Sequence, residues 1–122
     1  WRPSSVGGLT LGADPVAYAI AHAAAVAHRP LDAFTVRKQA KAHGTGRRIE
    51  GNLEDGMDVV VIEDVITSGG SALDAIAAVE EAGARVAGVF AVVLREEAGR
   101  KRLEDAGYAV ETLFTAAELL QD

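Results

Sequence analysis

Three apolar runs along the chain predict buried strands. They are rich in β-branched residues, are bounded by turn-forming residues, and lie at residues 59–62, 86–94 and, more weakly, 108–114. A run that is apolar on both faces is typical of a strand in a parallel sheet covered by helices. Shorter apolar segments around Val6 and at residues 33–36 predict two further strands.

Helical periodicity fills the intervals between these strands. Residues 71–82 place apolar side chains on one stripe and precede a glycine, a typical residue after a helix C-terminus. A charged segment at residues 96–106 and an alanine-rich segment from Asp14 to about His28 predict two more helices, with Asp14 as an N-cap. A last short helix is expected from Ala116. Strands that alternate with helices predict an α/β fold with right-handed crossovers.

Length and composition place this pattern in a single domain over residues 1–122. The chain is 49% hydrophobic and 25% charged, which is typical of a globular protein. It has no cysteine, which excludes disulfide scaffolds, thiol nucleophiles and iron–sulfur sites. No stretch approaches the roughly 18 apolar residues of a membrane span. Because the first residue is Trp1 and the only methionine is Met57, we expect the chain to be a fragment or a trimmed form of a longer protein.

Positive charge is concentrated in one segment of an otherwise acidic chain. The net charge is −6, yet residues 37–48 contain no acidic side chain and five basic ones, namely Arg37, Lys38, Lys41, Arg47 and Arg48. This distribution argues against a general nucleic-acid or membrane surface but offers a local site for a small polyanion. A solvated basic loop is the alternative interpretation. Residues 37–58 also show little periodicity and contain four glycines, which predicts a long mobile loop.

The strongest chemical signal follows the strand at residues 59–62. Glu63 and Asp64 come next, and a turn at residues 67–71 then opens a helix. The N–H groups at a helix N-terminus, together with the macrodipole, favour a phosphate, and glycines in the turn allow its close approach. Carboxylates at the end of a parallel strand lie where α/β sheets bind ligands, and they accept hydrogen bonds from sugar hydroxyls.

This segment has neither the GxxxxGK[ST] motif of a P-loop nor the GxGxxG motif of a dinucleotide site. A phosphate turn beside two carboxylates therefore indicates a phosphorylated sugar. The alternative is an acidic strand end followed by a turn that only caps the helix.

Residues 59–72 resemble the phosphoribosyl pyrophosphate (PRPP) binding motif of type I phosphoribosyltransferases. Residues 34–44 (FTVRKQAKAHG), with residues 49–51, resemble the catalytic loop of the orotate branch, and residues 6–15 (VGGLTLGADP) resemble its pyrophosphate-side loop. The resemblance covers nearly the whole chain in the family's order. It implies a type I phosphoribosyltransferase core, which is a mainly parallel twisted sheet flanked by helices and carrying a mobile catalytic loop.

The resemblance also implies a role for each motif. In the family the two carboxylates hold the ribose 2′- and 3′-hydroxyls, the turn binds the 5′-phosphate, and the basic loop closes over the pyrophosphate. The implied PRPP-binding residues are Arg37, Lys38, Lys41, His43, Glu63, Asp64, Thr67, Ser68, Gly69, Gly70 and Ser71. The implied catalytic residues are Lys41, His43 and Asp64.

Orotate recognition is implied for two further positions. Arg95, which follows the strand at residues 86–94, stands where the family places the arginine that contacts the orotate carboxylate. Thr67 is the usual second contact. For Arg95 the alternative is a simple ion pair with Glu96 or Glu97.

The family's activity forms orotidine 5′-monophosphate and pyrophosphate from orotate and PRPP in pyrimidine synthesis. The resemblance implies Mg²⁺ held mainly by PRPP with no direct protein ligand, a cytoplasmic location, and a homodimer in which Lys41 and His43 reach the neighbouring subunit. It implies no nucleic-acid or membrane partner. The resemblance implies several dozen more residues before the strand near Val6, including a hood over the base, and we expect this chain not to carry them. Two alternatives stay open: a phosphoribosyltransferase-like regulator or inactive remnant that binds PRPP or a nucleotide, and a phosphoribosyltransferase for another base.

Overall fold

The computed structural model describes residues 1–39 and 48–120. Strands and helices alternate along this part of the chain, as the apolar pattern predicts. The strands are β1 (Ser5–Leu9), β2 (Asp32–Val36), β3 (Ile49–Gly51), β4 (Asp58–Ile66), β5 (Arg85–Leu94) and β6 (Val110–Thr115). The helices are α1 (Ala13–Val26), α2 (Gly70–Glu81), α3 (Glu97–Asp105) and α4 (Ala116–Leu119). Within the described residues, no helix combines the length and apolar character needed to cross a membrane.

The strands form one six-stranded sheet in the order β3-β2-β1-β4-β5-β6. Neighbouring strands are parallel except at the edge, where β3 runs antiparallel to β2. The chain builds the sheet outward from β1 through β2, and then crosses to the other side of β1 with β4. The carboxyl ends of β1 and β4 therefore border the switch point at which sheets of this kind bind ligands. The predicted mainly parallel α/β sheet is confirmed.

Apolar side chains cover both faces of the sheet. On one face, strand residues such as Val61 and Val89 pack with Ala75 and Val79 of α2. On the other face, Val60 and Ile62 of β4 pack with Ala13 and Ala17 of α1. Helices α1 and α2 therefore cover opposite faces of the sheet, and the edge between the ends of β1 and β4 lies between them.

Two expectations for the segments around β2 are wrong. The stretch expected to be loop throughout residues 37–58 contains β3, whose three residues pair with β2 from Phe34 to Val36. So short a strand has no periodicity of its own, and its conformation comes from the partner strand. The α1 N-cap is Gly12 and not Asp14. The Asp14 carboxylate instead accepts hydrogen bonds from the hydroxyls of Thr10 at 2.7 Å and Thr35 at 3.1 Å.

Candidate active site at the carboxyl edge of the sheet

The glycine-rich turn before α2 has the geometry of an anion site. Gly69 is the residue before the helix and has φ +85°, a left-handed conformation that favours glycine. The backbone N–H of Gly70 donates to the Ser68 hydroxyl at 3.3 Å. Thr67, Ser68 and Ser71 are exposed. The first N–H groups of a helix have no intrahelical acceptor, so this turn presents donors and hydroxyls together at the positive end of α2. The turn lies at a helix N-terminus as predicted.

Helix α3 packs against this turn. A Cβ built on Gly99, in the first turn of α3, would lie 2.1 Å from the Thr67 carbonyl oxygen. A Cβ built on Gly69 would lie 3.1 Å from the Gly99 carbonyl oxygen and 3.5 Å from Cγ of the fully buried Leu103. The two backbones are thus in direct contact, and only glycine fits at position 99. Sequence reasoning missed this role of Gly99; the available signal was a glycine inside the first turn of a predicted helix.

The two carboxylates lie inside β4 rather than after it, because the strand is longer than its apolar run. Successive strand residues project to opposite sides of a sheet, and here Glu63 is buried at 6% exposure while Asp64 is exposed. A Cβ built on Gly12 would lie 2.9 Å from each carboxylate oxygen of Asp64. The Asp64 carboxylate therefore lies against Gly12, which belongs to the predicted pyrophosphate-side loop.

The buried carboxyl of Glu63 is the electrostatic anomaly of the site. Burial, and secondarily the charge of Asp64, raises the pKa of Glu63 from 4.5 to about 7. Among the described residues its side chain has no hydrogen-bond or ion-pair partner. A group with these properties at the edge of a ligand crevice is typical of a functional position.

Arg95 lies next to the phosphate turn. It directly follows β5, and its backbone N–H donates to the carbonyl oxygen of Ile66 at 2.8 Å, one residue before Thr67. Its side chain is exposed. The alternative of an ion pair with Glu96 or Glu97 is not found in the described parts of the chain, where Glu97 instead contacts Arg100 at 3.6 Å. The backbone of Arg95 is therefore at the same edge of the sheet as Asp64 and the turn.

The two ends of the basic segment are joined at the root of β2 and β3. The backbone N–H of Arg37 donates to the Arg48 carbonyl oxygen, and the Arg37 side chain pairs with Glu50. Arg48 forms a two-pronged pair with Asp74 of α2, at 3.0 and 2.7 Å. This hydrogen bonding lowers the pKa of the Asp74 carboxyl. The segment is thereby anchored to the helix that carries the phosphate turn.

The remaining basic candidates divide into two groups. Lys38 belongs to the residues that the structure describes, and its side chain is exposed. Lys41, His43 and Arg47 lie outside the described residues, so the predicted roles of Lys41 and His43 stay predictions.

Residues suited to a metal ion are few at this edge. In residues 1–39 and 48–120, no cluster of three or more His, Asp or Glu side chains has the arrangement of a metal site. The exposed carboxylate of Asp64 can accept a hydrogen bond from a water bound to Mg²⁺, an ion that commonly takes most of its ligands from substrate phosphates and water.

Residues 6–116 match the phosphoribosyl transferase domain family. The chain belongs to this family. The orotate phosphoribosyltransferase of Aquifex aeolicus is 52% identical over 120 residues, which cover 98% of this chain and 66% of that protein. The similarity to the orotate branch indicated by the motifs is confirmed.

Solved structures extend the similarity to the fold. The orotate phosphoribosyltransferase of Mycobacterium tuberculosis H37Rv in complex with PRPP is 46% identical with a TM-score of 0.86, over 98% of this chain and 66% of that one. A phosphoribosyltransferase from Corynebacterium diphtheriae is 43% identical with a TM-score of 0.88, over 98% of this chain and 68% of that one. The chain spans 60 to 66% of the length of the curated relatives it matches.

Proposed function

We propose that this phosphoribosyltransferase chain is the core of an orotate phosphoribosyltransferase, which converts orotate and PRPP to orotidine 5′-monophosphate and pyrophosphate in pyrimidine synthesis. The observation that carries the proposal is that three groups belong to the carboxyl ends of the neighbouring parallel strands β4 and β5. These are the phosphate turn at residues 67–71, Asp64 and Arg95. Similarity of about 50% to curated orotate phosphoribosyltransferases supports the same conclusion.

In this proposal the substrate lies across the switch point with its 5′-phosphate on the turn before α2. The ribose hydroxyls then reach β4, where Asp64 accepts a hydrogen bond. The buried Glu63, whose pKa is about 7, can accept a hydrogen bond or donate one near neutral pH. Breaking the bond at the anomeric carbon leaves positive charge on the ribose ring, and carboxylates beside the ring favour that charge.

Negative charge develops on the departing pyrophosphate at the same time. The basic segment that begins at Arg37 and Lys38, and that includes Lys41 and His43, supplies the opposite charge and excludes water from the reacting carbon. Mg²⁺ would be held by PRPP oxygens and water, with Asp64 available to accept a hydrogen bond from that water, and would neutralise charge on the diphosphate.

Orotate is a planar acid, and its carboxylate needs a cation. Arg95 provides a planar guanidinium suited to a two-pronged pair, and Thr67 lies beside it at the end of β4. A homodimer in which Lys41 and His43 act in the neighbouring subunit's site, and a cytoplasmic location, are parts of the same proposal.

The test is the consumption of orotate by the full-length protein in the presence of PRPP, with and without Mg²⁺. Arg95→Ala should raise the KM for orotate about 10- to 100-fold, the loss expected for a charge-assisted hydrogen bond, and should leave the KM for PRPP within about threefold. Arg85→Ala is the matched control. Arg85 is at the opposite end of β5, where it pairs with Asp58 at 2.8 Å.

Three results would contradict the proposal in different ways. PRPP binding without turnover of any base would indicate a binding protein. Turnover of uracil or a purine in place of orotate would indicate another base specificity. Equal effects of Arg95→Ala and Arg85→Ala on the KM for orotate would remove Arg95 from the base site.

A further inference from the structure

One basic side chain outside the recognised motifs lies beside the phosphate turn. Arg102 belongs to α3, the helix that contacts the turn through Gly99 and Leu103. Its Nη1 atom is 3.4 Å from the carbonyl oxygen of Ser68, and it is 3.8 Å from a Cβ built on Gly70. The guanidinium of Arg102 is therefore at the residues that open α2.

The charge of Arg102 is not neutralised within the described parts of the chain, in contrast to its neighbours on α3. Arg100 contacts Glu97 and also donates to Val110 and Thr112 of β6. Lys101 pairs with Asp105 at 3.1 Å. Arg102 makes no ion pair there, is exposed, and forms only the long bond to the Ser68 carbonyl. A long bond to a neutral acceptor is easily exchanged for a short bond to an anion.

The geometry points to Arg102 as a further ligand of the 5′-phosphate of the sugar, an inference that rests on the proposed function because it places that phosphate on the turn. A phosphate monoester carries close to two negative charges at neutral pH. The helix N-terminus supplies N–H donors and only about half a positive charge. A guanidinium beside the same turn adds a full charge and two donors in the fork that fits phosphate oxygens.

The close contact between α3 and the turn explains how this side chain is positioned. Because Gly99 and Leu103 hold α3 against the turn without a gap, the backbone of Arg102 is fixed relative to the phosphate donors. Only the side chain has to reorient when the anion binds. The consequence is selectivity for phosphorylated over unphosphorylated ribose that depends on α3 as well as on the turn.

Binding of ribose 5-phosphate to the full-length protein, measured by calorimetry, tests the inference. Arg102→Gln should raise the Kd for ribose 5-phosphate about tenfold, in the range for a charged hydrogen bond that is partly exposed to water. Arg102→Lys should recover part of the affinity because it restores the charge. Lys101→Gln, on the adjacent and exposed residue of the same helix, should stay within twofold of the unsubstituted protein. In the steady state, Arg102→Gln should raise the KM for PRPP with little change in kcat.

A Kd for Arg102→Gln within twofold of the unsubstituted protein would overturn the inference, as would failure of the unsubstituted protein to bind ribose 5-phosphate. A loss that Arg102→Lys does not reverse, accompanied by a lower melting temperature, would assign Arg102 a structural role and also overturn it. The proposed function fails separately, when orotate is not consumed. In that case a tenfold effect on the Kd for ribose 5-phosphate would still support Arg102 as a phosphate ligand.

Discussion

The buried carboxyl of Glu63 makes the stability of this protein depend on pH in a predictable direction. Its pKa is about 7 in the folded chain and 4.5 for an ordinary glutamate. The folded state therefore holds a proton on Glu63 in a pH range where the unfolded state has lost it. By linkage, stability from this group is present below pH 4.5 and is lost as the pH rises toward 7.

The magnitude follows from the two pKa values. At about 1.4 kcal/mol per pKa unit, the difference between 4.5 and about 7 corresponds to a loss of about 3 kcal/mol once both states are ionised. The residue is only 6% exposed, so water screens this charge less than it would screen a surface carboxylate. Glu63→Gln keeps the shape of the side chain and cannot ionise. Between pH 4.5 and pH 8, the unfolding free energy of the variant should rise by about 3 kcal/mol relative to that of the unsubstituted protein.

The measurement is urea denaturation of both proteins at intervals between pH 4.5 and pH 8. The decisive quantity is the change with pH of the difference in unfolding free energy, since any constant effect of the amide cancels. Glu111→Gln, on an exposed residue of β6, controls for the loss of one surface carboxylate. A difference for Glu63→Gln that is flat over this range, or that matches Glu111→Gln, would refute the assignment of a destabilising buried carboxyl.

Two further predictions concern the turn and the assembly. Gly99→Ala should lower the unfolding free energy by about 1 to 3 kcal/mol through overpacking against Thr67, and it should abolish ribose 5-phosphate binding. The control Ala98→Gly, at an exposed residue, should lower the unfolding free energy by about 1 kcal/mol and leave binding intact. Equal binding by both variants would show that α3 does not shape the turn. If the basic segment acts across a dimer, mixing inactive Lys41→Ala and Asp64→Ala proteins should restore part of the turnover, and verified heterodimers with no recovery would place the segment's action within one subunit.

The elements of this fold are largely predictable because each is encoded over a short range. The apolar runs predict β4, β5 and β6, and the periodic segments between them predict α2 and α3 with ends that differ by one residue. The phosphate turn is equally local, because glycines and hydroxyls directly precede an amphipathic helix. Sequence reasoning fails where conformation depends on a distant partner. β3 exists because β2 lies beside it, and the α1 N-terminus is set partly by Thr35 of β2.

The contacts that shape the site are of this distant kind. Gly12 and Asp64 belong to motifs about fifty residues apart, and a Cβ on the first would meet the carboxylate of the second. Arg102 reaches the turn only because Gly99 lets α3 approach. A sequence pattern can indicate that each motif has a chemical use. The close contacts between Gly12 and Asp64 and between Arg102 and the turn depend on the crossovers, which bring β1, β4 and β5 into adjacent positions.

The position of Glu63 connects the topology to the proposed function. An ionisable side chain buried within a strand opposes folding, and a glutamine or an apolar residue there would remove that cost. The cost arises near the carboxyl end of β4, next to the exposed Asp64. The proposed function gives a reason for a destabilising group at this place, because perturbed carboxyls are common where an α/β sheet binds its ligand. The same carboxyl that weakens the folded chain near neutral pH thus marks where the sugar ring is expected to lie.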